Sequence, residues 1–183
     1  FGFSLLSGLS QLGQRIFVTR QEVAFIAPPD GADAFEASRL PGWADFNGGD
    51  LFYGFPNLEG RGFKIARDTH GVDFDPDTGD RRMSEDGAAL LRTFAERRFP
   101  GLAGRPFTEF RVCQYENSSN GDFLIDRHPA LDGAYLLGGG SGHGFKHGPA
   151  VGRMMAELVV HGTAPDARFS LATKETVHNR TVL

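Results

Sequence analysis

Residues 134–162 constrain the fold more strongly than any other segment of this 183-residue sequence. A short apolar run, residues 134–137, leads into a stretch with glycine at positions 138, 139, 140, 142 and 144. Beyond this stretch, Pro149 suits the first turn of a helix and Gly162 suits the residue just past its end. The pattern predicts a strand, a tight turn and an amphipathic helix, whose apolar positions at helical spacing are Val151, Met154, Met155, Leu158 and Val159.

The glycine-dense turn, residues 138–146, is called the glycine cradle below. Because glycine carries no Cβ, its backbone can lie close to a flat or anionic ligand. The N–H groups at the start of the following helix would face that ligand with the positive end of the helix dipole. From the glycines alone two interpretations stay open: a ligand-binding cradle, or a tight connection that only packs.

Composition excludes several classes of function. A net charge of −4 and a charged fraction of 23% carry no electrostatic signature of a protein that binds nucleic acid or an anionic membrane. No apolar run approaches the roughly 20 residues of a membrane-spanning helix, and the chain begins at Phe1 with no signal-peptide pattern. A single cysteine, Cys113, excludes an intrachain disulfide and favours a reducing compartment, so a cytoplasmic location is predicted.

Metal and hydrolase patterns are weak. His143 and His147 have the i, i+4 spacing of a metal-binding pair, but no third ligand accompanies them, so no metal site is predicted. The acidic loop 73–82 lacks the EF-hand pattern. Ser141 stands in GGSGH rather than in the GxSxG of a hydrolase nucleophile elbow.

Residues 15–27 are rich in β-branched and aromatic residues, which predicts a long strand. Further strands are predicted over residues 50–55, 62–67 and 107–115, with shorter ones over 123–126 and 135–137. Residues 32–49 are expected to be irregular, as is the tail beyond residue 165. Residues 84–98 are predicted to form a helix with Ser84 as its cap. The apolar face of this helix is expected to contain Leu90, Leu91, Phe94 and Ala95.

Four blocks of sequence stand out, in chain order FYGFP at 52–56 with GFK at 62–64, RVCQY at 111–115, DFLIDRHP at 122–129 and GHGFK at 142–146. Together these blocks resemble the sarcosine oxidase-like amine oxidases, which belong to the D-amino-acid-oxidase-type flavoproteins. The last block, GHGFK, resembles the C-terminal flavin-contacting motif of that family, and a similar block occurs in N-methyltryptophan, pipecolate and fructosyl-amino-acid oxidases. Four blocks in the right order are far more specific than one glycine motif.

The resemblance implies an α+β fold with a mostly antiparallel substrate-domain sheet and a flanking helix. The strand–turn–helix at the C-terminal end would return to a dinucleotide-binding (FAD) domain. A dinucleotide-binding domain opens with strand, GxGxxG and helix, and these 183 residues contain no GxGxxG. We therefore expect the N-terminal part of that domain to be absent from this chain. The expected division is 1–12 FAD-binding segment, 13–117 substrate domain, 118–165 return into the FAD-binding domain and 166–183 tail.

The family resemblance assigns roles to two residues on predicted strands. Cys113 stands two residues before a tyrosine, where the family carries a thioether to the flavin ring; without the resemblance, a small buried hydrophobe is the usual interpretation. Lys64 matches the lysine that lies over the flavin ring and assists the reduction of oxygen, where a fixed cation stabilises developing negative charge.

The remaining implied site residues concern the substrate and the cofactor. Lys146 resembles the lysine that pairs with the substrate carboxylate, and Tyr53 and Tyr115 match tyrosines that line the substrate pocket. Asp68 departs from the family, because sarcosine oxidases carry a histidine there; its carboxylate would favour a cationic amine and repel a substrate carboxylate. The implied cofactor-binding residues are Cys113, Gly140, Ser141, Gly142, His143, Gly144, Phe145 and Lys146.

The resemblance implies an FAD-dependent oxidoreductase that oxidises the C–N bond of a small secondary amine or N-alkyl amino acid to an imine. Oxygen would be the electron acceptor and hydrogen peroxide the product. The implied partners are the amine substrate, oxygen and the N-terminal FAD-binding half, and the flavin is held either non-covalently or through Cys113. Two alternatives stay open: a flavin dehydrogenase with another acceptor, and a non-catalytic C-terminal domain that binds no flavin alone.

Overall fold

The computed structural model describes residues 12, 15–46 and 49–175. The predictions for residues 1–11 and for the end of the tail lie outside these residues. The chain forms two compact units. The sheet unit comprises Arg20–Val72 and Asp77–Cys113, and the cradle unit comprises Asp73–Pro76 with residues 12–19 and 114–175 of the described chain. The predicted assignment of these segments to a substrate domain and an FAD-binding domain stays a prediction.

A five-stranded sheet with the order β2-β3-β4-β1-β5 organises the sheet unit. The pairs β1–β4, β2–β3 and β3–β4 are antiparallel, which confirms the predicted mostly antiparallel sheet. On β4, Lys64 lies opposite Phe25 of β1 and Phe55 of β3. The strands are β1 (Ile16–Ile26), β2 (Trp43–Asp45), β3 (Leu51–Phe55), β4 (Phe63–Asp68) and β5 (Phe107–Ser118), and both β1 and β5 continue beyond the sheet unit.

Helix α1 (Glu85–Arg98) covers one face of the sheet unit. It begins as predicted at Ser84, whose side chain accepts a hydrogen bond from the Gly87 N–H. The core beneath it contains Phe63, Ile65, Leu91, Phe94 and Ala95, and the Trp43 ring stacks on Phe63 at 5.5 Å. Placing Leu90 on the buried face was wrong, because Leu90 is 39% exposed. Successive helical residues point about 100° apart, so the stripe centred on Leu91, Phe94 and Ala95 leaves Leu90 at its rim.

The cradle unit contains an antiparallel pair of strands, β6 (Leu124–Arg127) and β7 (Tyr135–Gly138), and helix α2 (Gly144–His161). This arrangement confirms the predicted strand, turn and helix. Ile125 of β6 packs with Val151 and Leu158 of α2 in a buried cluster. Gly162 ends the helix as predicted, with φ of 70° and its N–H directed at the Leu158 carbonyl.

Two details of α2 differ from the prediction. The helix begins at Gly144, so Pro149 is its sixth residue and lies outside the first turn. Since the backbone N–H of residue 149 is missing, the Phe145 carbonyl receives no helical hydrogen bond from it. Val159 is 45% exposed because it lies about 80° around the helix from Val151, at the edge of the buried stripe.

Several short elements were not predicted. Strand β2 (Trp43–Asp45) and a 3-10 turn (Asp33–Phe35) lie within the segment that was expected to be irregular. Two further 3-10 turns, Ala167–Phe169 and Leu171–Thr173, organise the tail. These elements are only three residues long, too short for a periodic pattern. Among the described residues, neither helix has the length and apolar character required to cross a membrane.

Candidate functional site

The face of the sheet unit opposite α1 gathers several of the predicted site residues. Because side chains alternate along a strand, Lys64 and Ala66 of β4 point away from the helix, whereas Phe63 and Ile65 point toward it. Ala66 is buried here, and Tyr53 and Cys113 pack against the cluster that contains it. This surface, defined by Tyr53, Lys64, Ala66 and Cys113, is called the Lys64 face.

Lys64 is a half-buried cation beside two aromatic rings. Its Nζ lies 5.3 Å from the centre of the Phe55 ring and 5.7 Å from the centre of the Tyr53 ring. Burial lowers the pKa of Lys64; the nearby Cys113 thiol opposes that shift, and the charges of Arg61 and Arg111 add to it. The two ring faces attract the ammonium group. Its partial desolvation strengthens its interaction with any negative charge that develops nearby.

Three charged residues border the Lys64 face: Arg61, Glu109 and Arg111. They were not among the predicted site residues. Glu109 accepts hydrogen bonds from Arg61, at 3.1 Å to each carboxylate oxygen, and from Arg111. The two guanidinium groups, Arg111 foremost, hold the pKa of Glu109 below its usual range. Glu109, Arg111 and Cys113 alternate along β5, so period-two spacing on the predicted strand was the available signal.

Asp68 ends β4, on the same side of the strand as Lys64. The two residues are four positions apart, which is roughly 13 Å along an extended strand. Asp68 is half-buried and lies opposite Leu51 of β3. The sheet therefore places this carboxylate and the lysine at opposite ends of a row that passes Tyr53.

In the cradle unit, the glycine cradle folds back onto the end of β5. Gly139 and Gly142 have φ of 73° and 76°, in the left-handed region that glycine tolerates. The Gly139 N–H donates to a carboxylate oxygen of Glu116 at 3.0 Å, and the Ser141 N–H donates to the Glu116 carbonyl at 2.9 Å. Gly142 lies so close to the Tyr115 ring that an added Cβ would be 2.7 Å from Tyr115 Cδ2. Tyr115 and Glu116 therefore pack directly against the glycine cradle. No sequence motif indicated this contact for Glu116.

Helix α2 presents its N-terminus at the end of the glycine cradle. Its first residue, Gly144, follows His143, and no side-chain hydrogen bond from His143 caps the helix. The first turn contains no acidic residue, Phe145 is fully exposed and Lys146 is exposed. These features leave the positive end of the helix dipole suited to an anionic or electron-rich group.

The two histidines at this helix start, His143 and His147, lie 5.9 Å apart between ring centres. His143 Nδ1 is 3.1 Å from the Ser141 carbonyl oxygen. Within the part of the chain that the structure describes, no group of three potential metal ligands is close enough to hold an ion.

The predicted site residues thus fall into two sets. Tyr53, Lys64 and Cys113 share the Lys64 face, with Asp68 on the same side of the sheet farther along β4. Tyr115, with the cradle residues Gly140, Ser141, Gly142, His143, Gly144, Phe145 and Lys146, lies in the cradle unit. Their roles in binding or catalysis stay predictions.

Comparison with known proteins gives a consistent result. Residues 2–158 match the FAD dependent oxidoreductase (DAO) family. A monomeric sarcosine oxidase of Streptomyces avermitilis is 34% identical over 160 residues, which cover 85% of this chain and 41% of that protein. An N-methyl-L-tryptophan oxidase of Salmonella arizonae is 30% identical over 131 residues, covering 69% of this chain and 34% of that protein.

Among solved structures, the fructosamine oxidase Amadoriase II of Aspergillus fumigatus matches with a TM-score of 0.72 at 23% identity. The match covers 92% of this chain and 42% of that one, and it shows a shared fold. The chain therefore spans less than half the length of each of these proteins.

Proposed function

Because this chain belongs to the FAD dependent oxidoreductase family, we propose that it supplies part of the active site of an amine oxidase. The reaction is oxidation of the C–N bond of a small secondary amine or N-alkyl amino acid to an imine, with oxygen as acceptor and hydrogen peroxide as product. Two relatives at 30% identity or more, a sarcosine oxidase and an N-methyl-L-tryptophan oxidase, support this substrate class. The complete activity requires an N-terminal FAD-binding half, since the chain matches less than half of each relative.

The cradle unit has features that fit the flavin end of FAD. Backbone without Cβ at Gly140 and Gly144 allows close approach of a flat ring, and the uncapped start of α2 offers N–H groups to its electron-rich edge. Ser141, Gly142 and His143 complete the contact surface. When bound, FAD supplies the oxidising power by accepting a hydride equivalent from the carbon beside the amine nitrogen.

Each side chain has a separate task in this proposal. The Lys64 ammonium stabilises negative charge that develops on oxygen. Tyr53 and Tyr115 offer hydroxyl groups and apolar ring walls to the substrate, and Lys146 binds its carboxylate. Asp68 attracts the amine as a cation and disfavours a carboxylate placed beside it.

The observation that carries the proposal is the convergence of Tyr53, Lys64 and Cys113 on one sheet face, with the Lys64 ammonium beside two rings. The test uses a polypeptide that joins this chain to its N-terminal FAD-binding half, supplied with sarcosine and other N-methyl amines. Lys64→Met should slow oxygen consumption far more than reduction of an artificial dye, whereas Lys64→Arg, which keeps a cation, should retain part of the oxygen reaction. Equal slowing with both acceptors would remove the oxygen role, and turnover with dye but without peroxide would identify a dehydrogenase.

Cys113 is proposed to hold the flavin through a thioether. The bond would form with loss of the thiol hydrogen and of one hydrogen from a methyl group of the ring, and the flavin itself would take up the two electrons before oxygen reoxidises it. Cys113 is half-buried against the cluster that contains Ala66, and its electrostatic interaction with Lys64 opposes the lowering of the lysine pKa by burial. The joined polypeptide should stay yellow after acid precipitation, and Cys113→Ser should release the colour into the supernatant. A colourless wild-type precipitate would disprove the covalent bond while leaving the proposed reaction intact.

The outer face of α2 is proposed to pack against the N-terminal FAD-binding half. Around Gly148 and Gly152 no heavy atom lies within 4 Å of an added Cβ, so another backbone could approach closely. Val160 is 70% exposed and Leu137 of β7 is 52% exposed. Under this proposal residues 118–165 belong to the FAD-binding domain, and the missing half would bury these apolar side chains.

A further inference from the structure

Lys174 is the most deeply buried charged side chain among the described residues, with 1% of its surface exposed. Its Nζ donates hydrogen bonds to the Asn120 side-chain oxygen at 3.0 Å and to the Arg168 carbonyl at 2.8 Å. Both acceptors are uncharged. Burial lowers the pKa of Lys174, and the Asp122 carboxylate opposes this effect. A lysine is rarely buried to this extent unless its charged group is satisfied, so these two hydrogen bonds must offset much of the cost of burying the ammonium.

The hydrogen bonds of Lys174 join the tail to the turn at residues 118–122. The Asn120 side-chain oxygen that accepts from the Lys174 ammonium also accepts from the Asp122 N–H at 3.2 Å, and the Ser118 hydroxyl donates to the Asp122 carbonyl at 2.6 Å. The neighbouring Glu175 N–H donates to the Ser119 hydroxyl at 2.8 Å. Two successive tail residues therefore fasten a single turn, which we call the clasped turn.

The clasped turn is in direct contact with the glycine cradle. At Gly139 an added Cβ would lie 3.1 Å from the Asp122 carbonyl oxygen and 3.4 Å from Ser118 Cβ. Two residues before the clasped turn, Glu116 accepts hydrogen bonds from the N–H groups of Gly139 and Ser141. Since a packed interior leaves no slack, a small shift of the clasped turn is transmitted to the cradle backbone.

We propose that Lys174 is a positioning residue for the glycine cradle. Its ammonium group holds Asn120 and thereby the clasped turn, and the clasped turn packs against Gly139 and supports the left-handed conformation of that residue. The importance of this contact for cofactor binding rests on the proposed function, whereas the contact itself does not.

A simpler role for Lys174 would be to anchor the tail alone. The tail has a second anchor elsewhere, so the effect of loosening the tail can be measured separately from the effect of loosening the clasped turn. One carboxylate oxygen of Asp126 on β6 accepts from the Ser170 hydroxyl and the Leu171 N–H, both at 2.8 Å. Ser170→Ala loosens the tail at that point without touching the clasped turn. It is the matched control for Lys174→Met.

The experiment measures amide hydrogen exchange, residue by residue, in the 183-residue chain. Lys174→Met should accelerate exchange at residues 119–122 and 139–141 by about tenfold to a hundredfold, because a buried charged hydrogen bond is lost. Ser170→Ala should accelerate exchange only around residues 166–172. Acceleration confined to the tail in Lys174→Met, or equal acceleration of the cradle in Ser170→Ala, would overturn the inference.

A second variant covers the case in which Lys174→Met does not fold. Asn120→Ala removes the acceptor on the clasped turn and leaves the ammonium bonded to Arg168. It should accelerate exchange at 139–141 while residues 170–172 stay protected, and an unchanged cradle would contradict the inference. Titration with FAD of the joined polypeptide then tests the proposed function separately. A loosened cradle with unchanged FAD affinity would leave the Lys174 inference standing and reject the cradle as the FAD site.

Discussion

The substitution Gly142→Ala probes the contact between the glycine cradle and Tyr115. Gly142 has φ of 76°, and an alanine in the left-handed region costs about 1–2 kcal/mol. The new methyl group would lie 2.7 Å from Tyr115 Cδ2 and nearer still to Cε2 and Cζ, well inside a normal carbon–carbon distance of about 3.5–4 Å. Displacing the ring adds about 1–3 kcal/mol of overpacking. We expect the cradle unit to lose about 2–5 kcal/mol of its free energy of unfolding.

Gly148→Ala is the matched control because it makes the same chemical change in the same unit. No heavy atom lies within 4 Å of an added Cβ at residue 148, and the residue is exposed on α2. Alanine within a helix is more favourable than glycine by about 0.5–1 kcal/mol. Gly142→Ala should therefore lower the free energy of unfolding of the cradle unit, and Gly148→Ala should raise it.

Hydrogen exchange of the amides in residues 135–162 measures both effects within the cradle unit. A loss of about 3 kcal/mol corresponds to a rise of more than a hundredfold in exchange rate, since each 1.4 kcal/mol is about tenfold. Tryptophan emission reports the sheet unit instead, because Trp43 is the only tryptophan of the chain. If Gly142→Ala changed exchange by less than about threefold, or slowed it as Gly148→Ala should, the Tyr115 contact would not be as described.

Three further predictions concern the sheet unit, and urea unfolding followed by Trp43 emission tests each of them. The pKa of Lys64 is lower in the folded chain than in the unfolded chain, so the unfolded chain binds more protons at a pH between these two values. Within this pH range the free energy of unfolding should rise with pH, and it should fall as the pH drops through the folded pKa. Lys64→Met should remove this slope, and an identical slope in the variant would contradict the assignment. Ser84→Ala should cost about 1–2 kcal/mol because the α1 cap is lost, whereas Thr93→Ala at an exposed position of the same helix should change stability by less than about 0.5 kcal/mol. Phe63→Ala should cost about 3–5 kcal/mol and shift the Trp43 emission, because Phe63 is fully buried against that ring; a variant as stable as wild type would refute this core.

The elements that sequence alone predicted are those specified by local physics. The strand–turn–helix around the glycine cradle follows from a short apolar run, a run of glycines and then apolar residues at helical spacing, and Gly162 ends α2 because a left-handed residue closes a helix. The cap of α1 at Ser84 is equally local. Once β4 was identified, alternation along the strand placed Lys64 on the face opposite Phe63 and Ile65, and the tertiary structure showed that α1 covers the face of those two residues.

The contacts that shape the cradle could be found only in the tertiary structure. Glu116 meets Gly139 across 23 residues, and Lys174 meets Asn120 across 54. The same holds for Tyr115, whose ring occupies the space that a side chain at Gly142 would need. No periodicity encodes such pairs, because each depends on how β5, the tail and α2 pack in space. Sequence therefore determined which backbone segments could form a cradle, and long-range packing decided which side chains hold it in place.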